Sequence, residues 1–203
     1  MNPRRALLAA PLALLLPRWA RAGAQVEEQL ADSVRTALAA SIADDAPPRP
    51  HFEHIEDRLA YLRWLGSASE HLKRRIPEPR TRLEFLQTAW YESHRAGLET
   101  ALVLGLIQVE SGFRKYAISS AGARGYMQVM PFWVQQIGNG DVLALFRLQV
   151  NLRFGCTILR HYLDLERGDM TLALGRYNGS RGSTAYPSAV FAMRRIWDPR
   201  NLA

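Results

Sequence analysis

VLGLIQVESGFRK, residues 103–115, sets a carboxylate, Glu110, directly after one of the most apolar runs in the chain. A helix that is apolar on every side is a buried helix, and its carboxyl end carries the negative pole of the backbone dipole. A carboxyl group held there is pushed towards its protonated form by both burial and dipole, which is what a general acid near neutral pH requires. From this segment alone a second reading stands beside the first. Glu110 then simply reaches solvent where the helix stops at Ser111 and Gly112.

Working outward, the chain has 203 residues, 48% of them hydrophobic, enough for one sizeable core with a small appendage. Residues 1–24 read as a secretory signal peptide: a basic start, MNPRR, a short apolar run, ALLAAPLALLLP, and small-x-small cleavage sites in ARAGA. The apolar run is too short for a comfortable membrane span. Arg4 and Arg5 leave export by a twin-arginine route open beside the general one. The mature chain is expected to begin near Gly23 or Gln25, in the periplasm. Removing the segment takes four of the 26 basic residues and none of the 19 acidic ones, so the formal charge falls from +7 to +3. That leaves little reason to expect a nucleic-acid partner. The single cysteine, Cys156, has no internal disulfide partner and reads as a buried structural thiol.

VEEQLADSVRTALAASI places Val26, Leu30, Val34, Leu38 and Ile42 on one helical stripe. The prolines of DDAPPRP then end it, so residues 25–50 read as an N-terminal helical arm and a Pro-rich linker. From 51 to 203 the signals are helical, over about 53–75, 80–96, 98–111, 126–137, 141–166, 169–177 and 186–196. YAISSAGARGYMQ leaves room for one short hairpin. Two glycine-rich loops, SSAGARG at 119–125 and NGSRGS at 178–183, are the places where a rigid helical frame would present binding groups. The five histidines show no zinc-type spacing, so no metal site is expected. RRIPEPRTR at 74–82 reads as a solvated basic turn.

ESGFRKYAISSAGARGYMQVMP at 110–131, NLRFGCTIL at 151–159, ALGRYNGSRG at 173–182 and YPSAV at 186–190 resemble, in order and spacing, the signature blocks of the lytic transglycosylases of the soluble-lytic-transglycosylase type, in the clan of goose-type lysozyme. The resemblance covers roughly residues 85–196. It implies a mainly α, lysozyme-like domain with an active-site cleft, preceded here by the helical arm, and it implies no cofactor. It further implies peptidoglycan glycan strands as substrate, cleaved between N-acetylmuramic acid and N-acetylglucosamine with formation of a 1,6-anhydro end, and Glu110 as the one acid and base.

By the same resemblance Ser119 meets the sugar near its acetamido group, Gln128 and Met130 line the cleft, Tyr177 points its hydroxyl at the glutamate or the sugar, and Asn178 holds the loop. Ordinary glycosidases use two carboxylates. Asp141, Asp164, Glu166 and Asp169 lie downstream, but none falls in a matched block. The alternatives are a muramidase that hydrolyses the same bond and a non-catalytic wall-binding protein of the same fold. The chain departs from the family's AYNAGPG, reading RYNGSRG, and Arg181 there reads as a solvated loop side chain.

Overall fold

The computed structural model describes residues 25–43, 50 and 52–202. The expected signal peptide and most of the expected linker lie outside the described residues. Among the described residues eight α-helices follow in order: α1 (Asp32–Ala43), α2 (Ile55–Leu72), α3 (Pro79–Arg95), α4 (Thr100–Glu110), α5 (Pro131–Ile137), α6 (Leu148–Leu165), α7 (Met170–Asn178) and α8 (Ala185–Trp197), with a short 3-10 helix at Val142–Phe146. No strand occurs among the described residues, so the domain is mainly α, as the helical periodicity and the resemblance imply.

Local chemistry sets several boundaries. Glu78 caps α3 by accepting from the amides of Arg80, at 3.0 Å, and Thr81, with Pro79 just inside the helix. Asp169 caps α7 through the Leu172 amide at 3.0 Å, and Gly179 closes it in the left-handed conformation.

Helix α4 is the centre of the core, buried from Thr100 through Ile107 and again at Glu110. Its closest neighbour is α8. At Gly105 a Cβ atom would lie 2.6 Å from the Arg194 backbone nitrogen, so only glycine lets the two helices cross this tightly. Helices α3 and α6 are joined by a buried ion pair, Arg153 donating to Glu92 Oε1 through Nε at 3.1 Å and a terminal nitrogen at 2.9 Å. Cys156 is buried on α6, and burial pushes its thiol pKa up, in keeping with an inert structural role.

Three expectations change. The helix expected over 126–137 starts only at Pro131, because Val129 is bridged to Arg124 and Met130 is extended (φ −74°, ψ 139°), the conformation favoured before proline. The helix expected over 141–166 is broken at Arg147, which is extended. The Leu145 carbonyl just before that break accepts from Asn151 Nδ2 at 2.8 Å instead of continuing a helical ladder. The hairpin reduces to two isolated antiparallel bridges, Ile118 with Arg124 and Arg124 with Val129.

The arm packs on the body: α1 lies against α5 and α6, with Leu38 buried and Leu30, Val34 and Ile42 against the core. Residues 25–31 are not helical, and Val26 falls off the expected stripe, 63% exposed. No helix among the described residues is long and apolar enough to cross a membrane.

Candidate active site

Glu110 is the last residue of α4 and is only 6% exposed. Its Oε1 accepts a 2.6 Å hydrogen bond from the Tyr186 hydroxyl, and its Oε2 is buried with no hydrogen-bond partner. Burial raises the carboxyl pKa to about 8, against the smaller downward pull of the Tyr186 hydrogen bond. Neither cause is a second carboxylate. The carboxyl group is thus held towards its protonated form at neutral pH, with one oxygen on Tyr186 and the other buried and unpartnered.

The four carboxylates Asp141, Asp164, Glu166 and Asp169 are engaged elsewhere. Asp141 caps the 3-10 helix through the Leu143 and Ala144 amides, and Asp169 caps α7. Asp164 pairs with Arg160. Glu166 takes Arg176 and Arg181 together, Arg181 at 2.6 and 2.9 Å, and this pair of arginines holds its pKa down at about 2. Arg181 is thus a clamp on the loop after α7 and not a free surface charge.

The loop from 111 to 130 is fixed on α6 by one side chain. Asn151 accepts from the Met127 amide at 2.8 Å and donates to the Arg124 and Leu145 carbonyls at 2.9 and 2.8 Å. Gly125, with φ +77°, sits against it so closely that a Cβ would lie 2.3 Å from Asn151 Nδ2. One turn further along α6, Gly155 makes room for Met127. The asparagine and glycine four apart thus seat this loop beside the carboxyl end of α4. Ser111 closes the other side, its hydroxyl donating to the Tyr126 carbonyl at 2.7 Å.

The other expected site residues fall as follows. Ser119 is half-buried, and its Oγ accepts from the Ala123 amide at 3.1 Å, so its hydroxyl proton is not used in that bond. Gln128 is buried in the left-handed region (φ +51°), rare for a residue other than glycine, and its Nε2 donates to the Gly125 and Ala117 carbonyls at 3.0 and 3.2 Å. It braces the loop from within. Met130 is half-buried at the start of α5, packed on the core. Asn178 ends α7 and accepts from the Ser180 hydroxyl at 3.0 Å.

Tyr177 departs from expectation. It is wholly buried, and its hydroxyl donates to the Met127 carbonyl at 2.8 Å. Tyr186 takes the place on the glutamate foreseen for it. The only sequence signal for Tyr186 was its position in YPSAV, opening the last helix, and nothing in its spacing points to Glu110, 76 residues earlier.

The site is thus one buried carboxyl group at a helix end, held by Tyr186 and set against a loop braced from α6. The Transglycosylase SLT domain family model matches residues 88–189, half of the sequence, and the chain belongs to that family.

It is 34% identical over 122 residues to membrane-bound lytic murein transglycosylase C of Glaesserella parasuis serovar 5, a match covering 52% of this chain and 31% of that protein. Its similarity to the proteins of the same name from Mannheimia succiniciproducens and Haemophilus ducreyi is higher but shorter. The first is 46% identical over 48 residues, 24% of this chain and 13% of that one. The second is 54% identical over 37 residues, 18% of this chain and 10% of that one. The matched stretches thus span about a third or less of these relatives' lengths.

Proposed function

We propose that this protein is a peptidoglycan lytic transglycosylase that cleaves the β-1,4 bond between N-acetylmuramic acid and N-acetylglucosamine and leaves a 1,6-anhydro end. The observation that carries the reading is the state of Glu110: a buried, protonated acid with one oxygen on Tyr186 and the other unpartnered, in a domain of the SLT family.

The reaction follows from that state. Glu110 gives its proton to the glycosidic oxygen as the bond to the muramoyl C1 breaks, and N-acetylglucosamine leaves with a free hydroxyl. The substrate's own acetamido oxygen stabilises the cationic centre, a task that a second carboxylate performs in many glycosidases. The Glu110 carboxylate then takes the proton of the muramoyl C6 hydroxyl as O6 attacks C1. No water is consumed, and the acid is regenerated. Burial makes the carboxylate a strong base for this step, and the Tyr186 hydrogen bond steadies it while it carries charge.

Around this acid, Ser119 meets the acetamido group with its spare hydroxyl proton and Met130 lines the cleft. Gln128, Tyr177 and Asn178 act by shaping the loop and wall that the glycan meets. Residues 1–24 direct export, so that the mature protein works on the periplasmic wall, with 25–50 as arm and linker and 51–203 as the catalytic domain.

The test is solubilisation of purified sacculi by the protein and by Glu110→Gln. The reading expects lysis by the first and none by the second, with binding and folding retained in both. Binding without lysis by either protein would make it a wall-binding member of the fold instead.

A further inference from the structure

Residues 25–28, in no helix, lie across a ledge beside Tyr177, and the contacts are specific. The Trp133 indole Nε1 donates to Gln25 Oε1 at 2.8 Å in a buried bond, and the same carboxamide bears on the Tyr177 hydroxyl. Gln136 Nε2 donates to Glu27 at 3.0 Å, and Arg176 meets Glu28 Oε1 at 2.7 Å. Val26 between them is exposed, so polar groups and not apolar burial seat this segment.

The fit is incomplete. Gln136 Oε1 is buried without a hydrogen-bond partner. The ledge therefore offers one indole donor, one unmatched carboxamide acceptor and one guanidinium. An acetamido group carries an acceptor and an N–H donor, and a nearby carboxylate would match the guanidinium. Gln25 and Glu28 carry the same kinds of group, but they leave Gln136 Oε1 without a donor. The ledge also sits one residue from the buried Tyr177, whose hydroxyl is held by the backbone of the active-site loop.

We propose that Trp133, Gln136 and Arg176 form a glycan subsite that takes the acetamido group and a stem-peptide carboxylate of a wall strand, and that residues 25–28 occupy it as an internal ligand which the strand displaces. The inference rests on the proposed function for the identity of the strand. Arg176 stands where the family's AYNAGPG has its first alanine, so the subsite would be a property of this chain. Arg176 also holds Glu166, which pairs with Arg181, so the guanidinium stays oriented when Glu28 leaves.

The test is equilibrium binding of soluble, peptide-bearing glycan strands in a Glu110→Gln background, which separates affinity from turnover. Glu28→Gln and Gln25→Ala weaken the internal ligand and spare the ledge, so strand affinity should rise several-fold. Arg176→Gln removes the subsite's cation, so affinity should fall several-fold, while Arg176→Lys restores part of it. A purely structural strap would give a common direction, with Glu28→Gln and Arg176→Gln both weakening or both leaving binding unchanged. That pattern, in variants whose melting temperatures show them folded, would overturn the proposal. Should the opposed pattern appear in a protein that releases no product from sacculi, the subsite would stand and the catalytic reading would fall.

Discussion

Tyr186, on the first turn of α8, holds one oxygen of Glu110 at the end of α4, and leaves the other buried and free. The contact spans 76 residues and depends on the crossing of α4 and α8 at Gly105. It divides the carboxyl group into an anchored oxygen and an unpartnered one.

Tyr186→Phe should keep the fold and lower the rate by roughly tenfold, the worth of one hydrogen bond to a charged group. The hydroxyl lowers the Glu110 pKa, so its loss should move the alkaline limb of the pH–rate profile upward. Turbidity loss of a wall suspension across pH 5–10 reads both effects.

The raised pKa also has a consequence for stability. Glu110 stays protonated in the fold up to about pH 8, whereas the unfolded chain releases this proton near the ordinary value of 4.5. Over that window the unfolded state binds fewer protons, so wild-type stability falls as pH rises from about 4.5 to about 8 and then levels. Glu110→Gln has no such cost. Its melting temperature should match wild type at pH 4 and exceed it by several degrees at pH 8, a gap on the order of a few kcal/mol.

Asn151→Ala removes three hydrogen bonds that seat residues 124–127 and Leu145 on α6. It should cost about 2–4 kcal/mol in urea unfolding, from buried backbone groups left unpaired. Activity should fall further than stability, because the loop carrying Ser119 and Gln128 loses its register against Glu110.

Arg153→Met leaves Glu92 without its principal partner between α3 and α6. Breaking a buried pair from one side costs about 3–5 kcal/mol. Chemical unfolding should show that loss, while the pH–rate profile of the surviving folded protein stays that of wild type.

Much of this was legible in the sequence where a local pattern carried it. The apolar run of α4 implied its burial, while its abrupt end at Glu110 left a perturbed acid and a solvent-reaching side chain side by side until the family resemblance was added. Asn151 and Gly155 came only with the resemblance of NLRFGCTIL to the family's helix. What could not be read were contacts made only by the crossing of distant elements. Tyr186 reaches Glu110 because two helices cross at a glycine, and Tyr177, nearer to it in the motif order, turns to a backbone carbonyl instead. The run at 25–31 has the apolar spacing of a helix but is not one. Its polar partners lie on α5 and α7, which a periodicity cannot show.

The central claim is that one buried acid does both proton transfers without water. Mass spectrometry of the muropeptides released from sacculi tests it most directly. The account predicts muramoyl ends one water lighter than hydrolytic products, and their complete loss in Glu110→Gln. Release of ordinary reducing muramoyl ends by the wild-type protein would contradict it.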